Sequence, residues 1–368
     1  MTGNRHPPTL THRDLNRASL ARQLLLERSG LSVDKAMTHL VAIQAQAHRP
    51  PYIGLWARLR DVTTVDCDGL LTDRQLVRLP LMRGTLHLAT ARDALALTPL
   101  FDDLLARGLR SNFGRQLDGI DIEAVARAAE EILERAPQTY ADLGRQLAQT
   151  WPDRDPASLA QVARHLLKVV QAPPLLWSSS ERPEVTTQRR WLSQKPAAAT
   201  PRETLVRRYL AAFGPASVAD MQKWLGFTGL QPVLEEMTGH LRVFRSPDGE
   251  ALYDLPEAPR PDADAKAPAR LLPGFDAVVL GYRNPARFVA ADFWPRLSSR
   301  NGLFHPVFLL DGRIAGLWKL SEGKGGLSVV FEPFAEITRR DRTDLAAEAE
   351  ALARFTGHDR TEVSFHGS

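Results

Sequence analysis

A recurring order of segments constrains the fold of this chain more than any other feature of its sequence. Apolar residues recur at helical spacing over 14–27 and again over 32–43, where a serine caps the second helix. A short helix around residue 70 follows, and the extended residues 76–88 turn at Arg83-Gly84. The first part of the chain therefore predicts helices followed by a β-hairpin.

The same order occurs twice more along the chain. The second set has helices around Ile132, Leu143 and Leu166, followed by extended segments at 175–177 and 185–187. The third set has helices over 205–213, 218–225 and 232–237, followed by a hairpin over 241–253 that turns at 247–249. Three helices and a hairpin form the order of a winged helix, an elaboration of the helix-turn-helix DNA reader.

We therefore predict a mixed α/β, mainly α protein with three tandem winged-helix units over 1–115, 116–195 and 196–256. Residues 256–269 are rich in Pro, Ala and Asp, show no apolar period and indicate a linker. Short apolar segments separated by glycine turns follow at 277–280, 307–310, 313–320 and 327–331. They predict a small antiparallel β-barrel within the C-terminal part, 257–368, ahead of a helix over 344–355.

The distribution of charge favours a nucleic-acid partner. Residues 1–60 carry nine Lys and Arg against three Asp and Glu, an excess of six positive charges, while the formal net charge of the whole chain is +4. Such an asymmetry is typical of a surface that meets phosphates, although a merely solvated basic face would look the same.

Cysteine and histidine usage limits the chemistry that the chain can perform. The single cysteine, Cys67, excludes an internal disulfide, and the ten histidines are too scattered for a metal cluster. We therefore predict catalysis without a metal or any other cofactor. Residues 1–13 lack an apolar run, and no stretch of about 18 apolar residues occurs, so we expect a cytoplasmic protein without membrane contact.

Two glutamines lie shortly before a pair of prolines. Gln44 and Gln46 end the second predicted helix. Pro50 and Pro51 terminate that helix near Arg49, because proline lacks an N–H donor and pushes the preceding residue out of helical geometry. Residues two apart lie about 200° apart on a regular helix, so both amides address one site only where the helix unwinds. Two solvent-facing polar residues at a helix end are the simpler interpretation.

The glutamines belong to a group of motifs with a characteristic order. Gln44-Ala45-Gln46 is followed by Pro51-Tyr52-Ile53-Gly54-Leu55-Trp56 and then by Leu81-Met82-Arg83-Gly84-Thr85-Leu86-His87. Together with 306–313 and 316–318, and less distinctly 192–255, these motifs resemble the AlkZ-type winged-helix DNA glycosylase family over most of the chain. The resemblance implies three tandem winged helices and a C-terminal barrel, in a C shape around a basic channel for DNA.

The resemblance also implies an activity and a catalytic motif. In this family the motif is glutamine, an aliphatic residue, and then glutamine or aspartate, which matches Gln44, Ala45 and Gln46. The aspartate branch resembles enzymes for alkylated single adducts, whereas the double-glutamine branch resembles enzymes that unhook interstrand crosslinks of the azinomycin type. The implied function is a monofunctional DNA glycosylase, a hydrolase of the N-glycosidic bond of N7-alkylated purines, in DNA repair or antibiotic self-resistance.

Neutral amides suit this reaction because the substrate supplies much of the activation. A guanine alkylated at N7 carries a positive charge and is a good leaving group. The enzyme then needs to orient a water molecule against an oxocarbenium-like sugar, and glutamine offers both an acceptor and donors for this task. We hypothesise that Gln44 and Gln46 hold that water jointly, without a strong general base.

The implied partner is double-stranded DNA that contains an alkylated or crosslinked guanine, bound by a monomer. We predict eight DNA-binding side chains. Four lie in or beside the motifs, namely Arg49, Arg58, Arg83 and His87, two lie next to Trp191, namely Arg189 and Arg190, and two lie in a loop of the predicted barrel, namely Arg283 and Arg287. Ordinary solvated arginines and a satisfied structural histidine are the alternatives at these positions.

Two other functions fit the same sequence pattern. Winged helices more often read operators than cut glycosidic bonds, so a transcriptional regulator without catalytic activity is the main alternative. A catalytically inactive protein that binds damaged DNA or sequesters a drug is the third. A regulator prefers one duplex sequence and leaves its DNA chemically intact, whereas a glycosylase releases a modified base.

Overall fold

The computed structural model describes residues 7–194, 198, 200–323 and 326–366. By its internal contacts the chain divides into two compact units. Unit 1 comprises residues 1–43, 50–67 and 202–368, and unit 2 comprises residues 44–49 and 68–201. Both units therefore draw on the first predicted segment, 1–115, and the four-part division by sequence order remains a prediction.

The first part of the chain contains helices and a three-stranded sheet. In order, its elements are α1 (His12–Arg22), α2 (Val33–Leu40), β1 (Ile43–Gln44), α3 (Pro50–Arg58), α4 (Thr64–Thr72), β2 (Leu76–Pro80), β3 (Leu86–Thr90), α5 (Ala91–Leu97) and α6 (Asp102–Phe113). Strands β2 and β3 pair antiparallel around a turn at Met82–Gly84, which confirms the predicted hairpin. The strand order in the sheet is β1-β3-β2.

The second helix ends earlier than its apolar pattern predicts. Helix α2 stops at Leu40 because Val41 adopts a φ of 71°, which no right-handed helix accommodates. Pro50 and Pro51 begin α3 instead of terminating α2, since the first helical turn needs no N–H donor. The prediction that both glutamines end a helix is therefore wrong, because the chain around Gln44 is extended.

The middle part of the chain is a helical bundle with a hairpin. Its elements are α7 (Ile122–Arg135), α8 (Tyr140–Leu147), α9 (Pro156–Leu166), β4 (Val169–Gln171), β5 (Val185–Thr187) and α10 (Gln188–Leu192). The amphipathic α7, α8 and α9 bury their apolar faces in a common core around Val125, Leu143 and Val162. The strand predicted at 175–177 is wrong, because β4 pairs with β5 instead.

The third set of helices and its hairpin confirm the sequence prediction closely. The elements are α11 (Arg202–Phe213), α12 (Val218–Leu225), α13 (Gln231–Glu236), β6 (Arg242–Arg245) and β7 (Ala251–Asp254). Ser217 and Asp220 form a capping box at the start of α12, and Gly226 ends it with a left-handed φ of 87°. Local capping signals of this kind explain why the boundaries could be predicted.

The C-terminal part forms an open sheet with a helix against it. Its elements are β8 (Arg270–Leu272), α14 (Ala277–Leu280), β9 (Val307–Leu310), β10 (Arg313–Gly323), β11 (Gly326–Pro333), α15 (Arg339–Phe355) and β12 (Thr361–Phe365). The strand order is β12-β11-β10-β9-β8, with β12 parallel to β11.

The predicted small antiparallel barrel is wrong. Within the described ranges the edge strands β8 and β12 do not pair with each other, so the sheet does not close. Helix α15 packs against both β8 and β12 and buries Leu345, Ala349 and Leu352. The residues predicted as a strand at 277–280 form helix α14, which Asp276 caps.

Much of the positive charge of residues 1–60 is bound within unit 1. Among the described residues, ion pairs join Arg13 and Arg17 to Asp311, Arg22 to Asp254, Arg28 to Glu348 and Arg58 to Asp276. A cation that is already held by a carboxylate contributes little to the attraction of phosphates. The charge excess of this segment therefore does not by itself define a DNA-binding surface. None of the described helices is both long and apolar enough to cross a membrane.

Candidate active site

The segment that carries the two glutamines is hydrogen-bonded to one edge of the β2–β3 hairpin. Ala45 N donates to Leu86 O at 2.7 Å. In return, Leu86 N donates to the side-chain Oε1 of Gln46 at 3.0 Å. The side-chain oxygen of Gln46 thus takes the place of a backbone carbonyl as the acceptor for the first N–H of β3. This bond fixes the oxygen end of the Gln46 amide, although the residue is exposed.

The hairpin turn holds the other glutamine. Arg83 Nη2 donates to Gln44 Oε1 at 2.6 Å, and Gln44 is only 9% exposed. Arg83 adopts a left-handed φ of 56° within the turn, and Gly84 follows with a φ of 66°. Both amides are therefore held by residues at the turn end of the same hairpin.

A second arginine of this hairpin holds the backbone of the motif. Arg78 Nε donates to Ala45 O at 2.6 Å, and Arg78 Nη2 donates to Gln46 O at 2.8 Å. Its remaining terminal nitrogen, Nη1, donates to Gln171 Oε1 at 2.7 Å. We did not predict Arg78 from the sequence. The available signal was a lone arginine in a strand whose other residues are all apolar.

The two arginines keep positive charge beside the glutamines. Burial lowers the pKa of Arg83 to about 10, and burial together with the nearby Arg164 lowers the pKa of Arg78 to about 10. Both guanidinium groups therefore stay charged at neutral pH. The acceptors of these bonds in Gln44, Ala45, Gln46 and Gln171 are neutral oxygens.

His87 lies beneath the turn as a neutral group. It is 1% exposed, and burial together with the Arg83 charge lowers its pKa to about 3. Its Nδ1 lies 2.9 Å from Thr85 O, so the neutral ring carries its proton on Nδ1 and donates to that carbonyl. A buried, uncharged imidazole does not grip a phosphate, so the prediction of His87 as a DNA contact is not supported.

Arg49 and His48 follow the motif and pack against Trp177. The Arg49 guanidinium lies 4.8 Å from the Trp177 ring centroid, and its Nε donates to Trp177 O at 3.0 Å. The neighbouring His48 has a lowered pKa, because of burial and the charges of Arg49 and Arg78. Arg49 is half-buried and stacked on an aromatic ring.

The remaining predicted DNA-binding residues differ in exposure. Arg189 and Arg190 are exposed in unit 2, where Arg189 pairs with Glu130 and Glu134 and Arg190 donates to Glu134 O. In unit 1, Arg283 is exposed. Arg189, Arg190 and Arg283 thus remain accessible to a partner.

Arg58 and Arg287 are internal residues, which contradicts their prediction as DNA contacts. Arg58 is 1% exposed, and its Nη1 and Nη2 donate to the two carboxylate oxygens of Asp276 at 2.8 and 2.9 Å. Arg287 is 4% exposed and lies with its guanidinium carbon 4.0 Å from the Tyr282 ring centroid. Both guanidinium groups support the interior of unit 1 and are not available to a phosphate.

The described residues contain no group of three or more His, Cys, Asp or Glu side chains placed to hold a metal ion. The site is thus defined by two amides, two charged guanidinium groups and one neutral imidazole. Such a set can orient water and attract phosphate groups.

Comparison with known proteins identifies the class to which this fold and site belong. A family model described as DNA glycosylase AlkZ-like matches residues 37–355. Because these residues make up most of the chain, the chain belongs to the AlkZ-like DNA glycosylase family, which confirms the resemblance that the motifs predicted.

One relative and one solved structure are similar to this chain over nearly its whole length. An interstrand DNA cross-link repair glycosylase from Streptomyces sahachiroi is 24% identical over 375 aligned residues, which cover 94% of this chain and 96% of that protein. The solved structure of the Streptomyces sahachiroi DNA glycosylase AlkZ matches with a TM-score of 0.81 at 20% identity, covering 97% of this chain and 100% of that one. The second match shows a shared mixed α/β fold. Together with the family match, these similarities favour a glycosylase over a transcriptional regulator.

Proposed function

We propose that this chain hydrolyses the N-glycosidic bond of N7-alkylated purines in double-stranded DNA, and that crosslinked guanines are among its substrates. The observation that carries the proposal is the placement of both motif amides at one hairpin turn, with Gln44 bound by Arg83 and Gln46 bound by Leu86 N. Family membership and the crosslink-repair name of the Streptomyces relative support the substrate class.

The proposed reaction needs positioning rather than a strong base. Heterolysis of the bond between C1′ and N9 leaves the electron pair on the base, which neutralises its positive charge, and the sugar becomes an oxocarbenium-like cation. Water then adds to C1′ and loses a proton to solvent. Each glutamine carbonyl that accepts one protein hydrogen bond retains a second lone pair, and its NH₂ group supplies two donors. Gln44 and Gln46 therefore have the groups needed to hold the attacking water between them.

We propose that the DNA is bound through winged helices and exposed arginines. The order of helices and a hairpin that occurs over 122–187 and 202–254 supports this assignment. Arg49, Arg190 and Arg283 are the predicted phosphate contacts whose placement supports that role. Arg189 would first have to leave Glu130 and Glu134, and Arg83 serves the Gln44 amide. A monomer suffices for this activity, because one chain carries the whole motif.

Antibiotic self-resistance is the biological role that fits a substrate with crosslinked guanines. An azinomycin-type crosslink joins two guanines through N7, so cleavage of one glycosidic bond separates the strands. The double-glutamine form of the motif at Gln44 and Gln46, and the name of the Streptomyces relative, support crosslink unhooking over the repair of single adducts.

The direct test is base release from defined duplexes. The protein is incubated with a duplex that contains N7-methylguanine and, separately, with a duplex that contains an azinomycin crosslink, and abasic sites are measured. We expect abasic sites with both substrates, and none with the doubly substituted Gln44→Ala, Gln46→Ala protein, although that variant still binds the DNA. Tight binding to one undamaged sequence, with no abasic sites in either substrate, would instead identify a regulator.

A further inference from the structure

A single guanidinium group connects the motif backbone to two strands of unit 2. Arg78 lies in β2 and contacts Ala45 O, Gln46 O and Gln171 Oε1 with three different nitrogens. Because the guanidinium group is planar and its nitrogens are fixed relative to one another, these three bonds specify one position for the two carbonyls. A residue that only filled space would not need three oriented donors.

Arg78 holds the backbone of Gln46, which is the more exposed of the two glutamines. Gln46 is exposed, whereas Gln44 is 9% exposed and bound by Arg83. The Gln46 side-chain oxygen accepts a 3.0 Å bond from Leu86 N. Its backbone carbonyl is held by Arg78 at 2.8 Å, so the direction in which the side chain leaves the backbone is set there.

Gln171 in turn orients Arg78. Strands β2 and β4 pack against each other, and Gln171 at the end of β4 is only 6% exposed. A buried amide with its oxygen committed to Arg78 Nη1 limits the rotation of that guanidinium. The second hairpin therefore supports the motif, although it lies more than a hundred residues further along the chain.

We propose that Arg78 is a positioning residue that fixes the Gln46 backbone, and through it the Gln46 amide, and that Gln171 holds Arg78 in place. The catalytic consequence of this assignment rests on the proposed glycosylase activity. The structural consequence, a rigid Gln46 amide on Leu86 N, does not depend on that activity.

The first experiment measures single-turnover base release from N7-methylguanine duplex by Arg78→Ala and Arg78→Lys at saturating protein. We expect the rate for Arg78→Ala to fall by about 100-fold with little change in Kd, because a small misplacement of a catalytic group has an effect of that size. The rate for Arg78→Lys should lie between those of the wild-type protein and Arg78→Ala, since an ammonium group donates to carbonyls but lacks the planar arrangement of donors of a guanidinium group. Added guanidinium ion should restore part of the rate of Arg78→Ala and none of the rate of Gln46→Ala.

The matched control is Arg164→Ala, which removes a positive charge from the same neighbourhood. It should leave the base-release rate of the bound complex unchanged. If Arg78→Ala loses only DNA affinity, as removal of a phosphate contact does, or keeps its full rate, the positioning role is wrong.

The second experiment needs no DNA and separates this inference from the proposed function. Amide hydrogen exchange is measured at Leu86 N–H, whose acceptor is the Gln46 side chain. Arg78→Ala and Gln171→Leu should accelerate that exchange, whereas Arg164→Ala should not, and the amides of α8 report any general loss of stability. Unchanged exchange at Leu86 in Arg78→Ala would overturn the inference even if the chain is an active glycosylase. If the wild-type protein releases no base, but Arg78→Ala still accelerates exchange at Leu86, the proposed function is refuted and the positioning of Gln46 by Arg78 is retained.

Discussion

Arg83 combines an unfavourable backbone conformation with a specific side-chain contact. Its φ of 56° lies in the left-handed region, and its Nη2 donates to Gln44 Oε1 at 2.6 Å. The left-handed conformation destabilises a residue with a side chain by roughly 1–2 kcal/mol, so glycine would serve the turn better than arginine. The guanidinium contact with Gln44 is a structural reason for an arginine at this position.

Two substitutions of Arg83 separate its backbone strain from its contact. Arg83→Ala and Arg83→Gly both remove the bond to Gln44, so both should lower the single-turnover rate of base release. Arg83→Gly should nevertheless have the larger free energy of unfolding, by about 1 kcal/mol, because glycine adopts a positive φ without strain. Urea denaturation measures the difference. Equal stabilities would show that the turn carries no strain, and an unimpaired rate would remove Arg83 from the site.

The neutral His87 predicts how stability depends on pH. The folded protein keeps His87 neutral down to a pKa of about 3, whereas the unfolded chain protonates the ring near pH 6.5. Between these values the unfolded state binds one more proton. The free energy of unfolding should therefore fall as the pH falls through this window, by up to about 1.4 kcal/mol per pH unit.

The comparison with His87→Asn isolates this effect from the titration of carboxylates. Asparagine retains a donor for Thr85 O and takes up no proton, so the unfolding free energy of the variant should fall less steeply in acid. Urea titrations of both proteins between about pH 7 and pH 4 give the two slopes. Parallel slopes would mean that His87 is protonated in the folded protein.

The sequence identified part of the candidate site and missed part of it, for reasons that lie at the residue scale. Gln44, Gln46 and Arg83 stand in motifs with a characteristic order, so their grouping could be predicted. Arg78 could not, because its three acceptors come from the motif backbone and from Gln171, 93 positions away. The failure at Arg58 has the same cause, since its partner Asp276 is 218 positions distant.

At the level of helices and strands, the sequence predicted those elements whose ends are set by neighbouring residues. Helix α12 was predicted well because its apolar period, its capping box and its terminal glycine agree. The end of α2 was predicted too late in the chain, because Val41 and Ile43 continue the apolar period although the backbone has already left the helix. Short strands such as β8 and β12 have no signal of their own and exist through pairing with distant strands.

The ion pair between α3 and the start of α14 should stabilise unit 1 strongly. Arg58 and Asp276 are both buried, and two hydrogen bonds join them. Asp276→Ala leaves a charged guanidinium in the interior and should lower the free energy of unfolding by about 3–5 kcal/mol. The double substitution Arg58→Met, Asp276→Leu should recover most of that loss, because it removes both charges.

Chemical denaturation measures these stabilities, and DNA binding of the double variant tests the internal role of Arg58. We expect its Kd for DNA to equal that of the wild-type protein. A loss below about 1 kcal/mol for Asp276→Ala would be typical of an exposed pair and would contradict the burial. A weaker Kd of the stable double variant would restore Arg58 to the DNA surface.

At the scale of the whole molecule, only arginines and lysines that are not paired with carboxylates inside the protein contribute strongly to the attraction of DNA. The arginines of α1 and α3 pair with carboxylates inside unit 1, whereas the bonds of Arg78 to the motif backbone and to Gln171 end on neutral oxygens. Net charge along the sequence predicted a nucleic-acid partner. It could not predict which cations remain for that partner, because the compensating carboxylates lie 232 or more positions away for Arg22 and Arg17.

The exposed arginines of α10 should determine the salt dependence of DNA binding. Arg190→Ala should weaken binding and reduce the slope of log K against log salt by about 0.9, the value for one phosphate contact. The Glu134 carboxylate pairs with Arg189 and would compete with a DNA phosphate for that guanidinium. Glu134→Gln should therefore strengthen binding and steepen the slope. Titrations at several salt concentrations measure both, and an unchanged slope in both variants would remove α10 from the interface.

The central claim is that the Gln44 and Gln46 amides act together on one water molecule, and a double-mutant cycle tests it most directly. The measurement is the single-turnover rate of N7-methylguanine release by Gln44→Ala, Gln46→Ala and the double variant, each at saturating protein. If the amides form one unit, each single substitution should lower the rate nearly as much as both together. Independent effects, in which the double variant loses the product of the two single losses, would contradict the account.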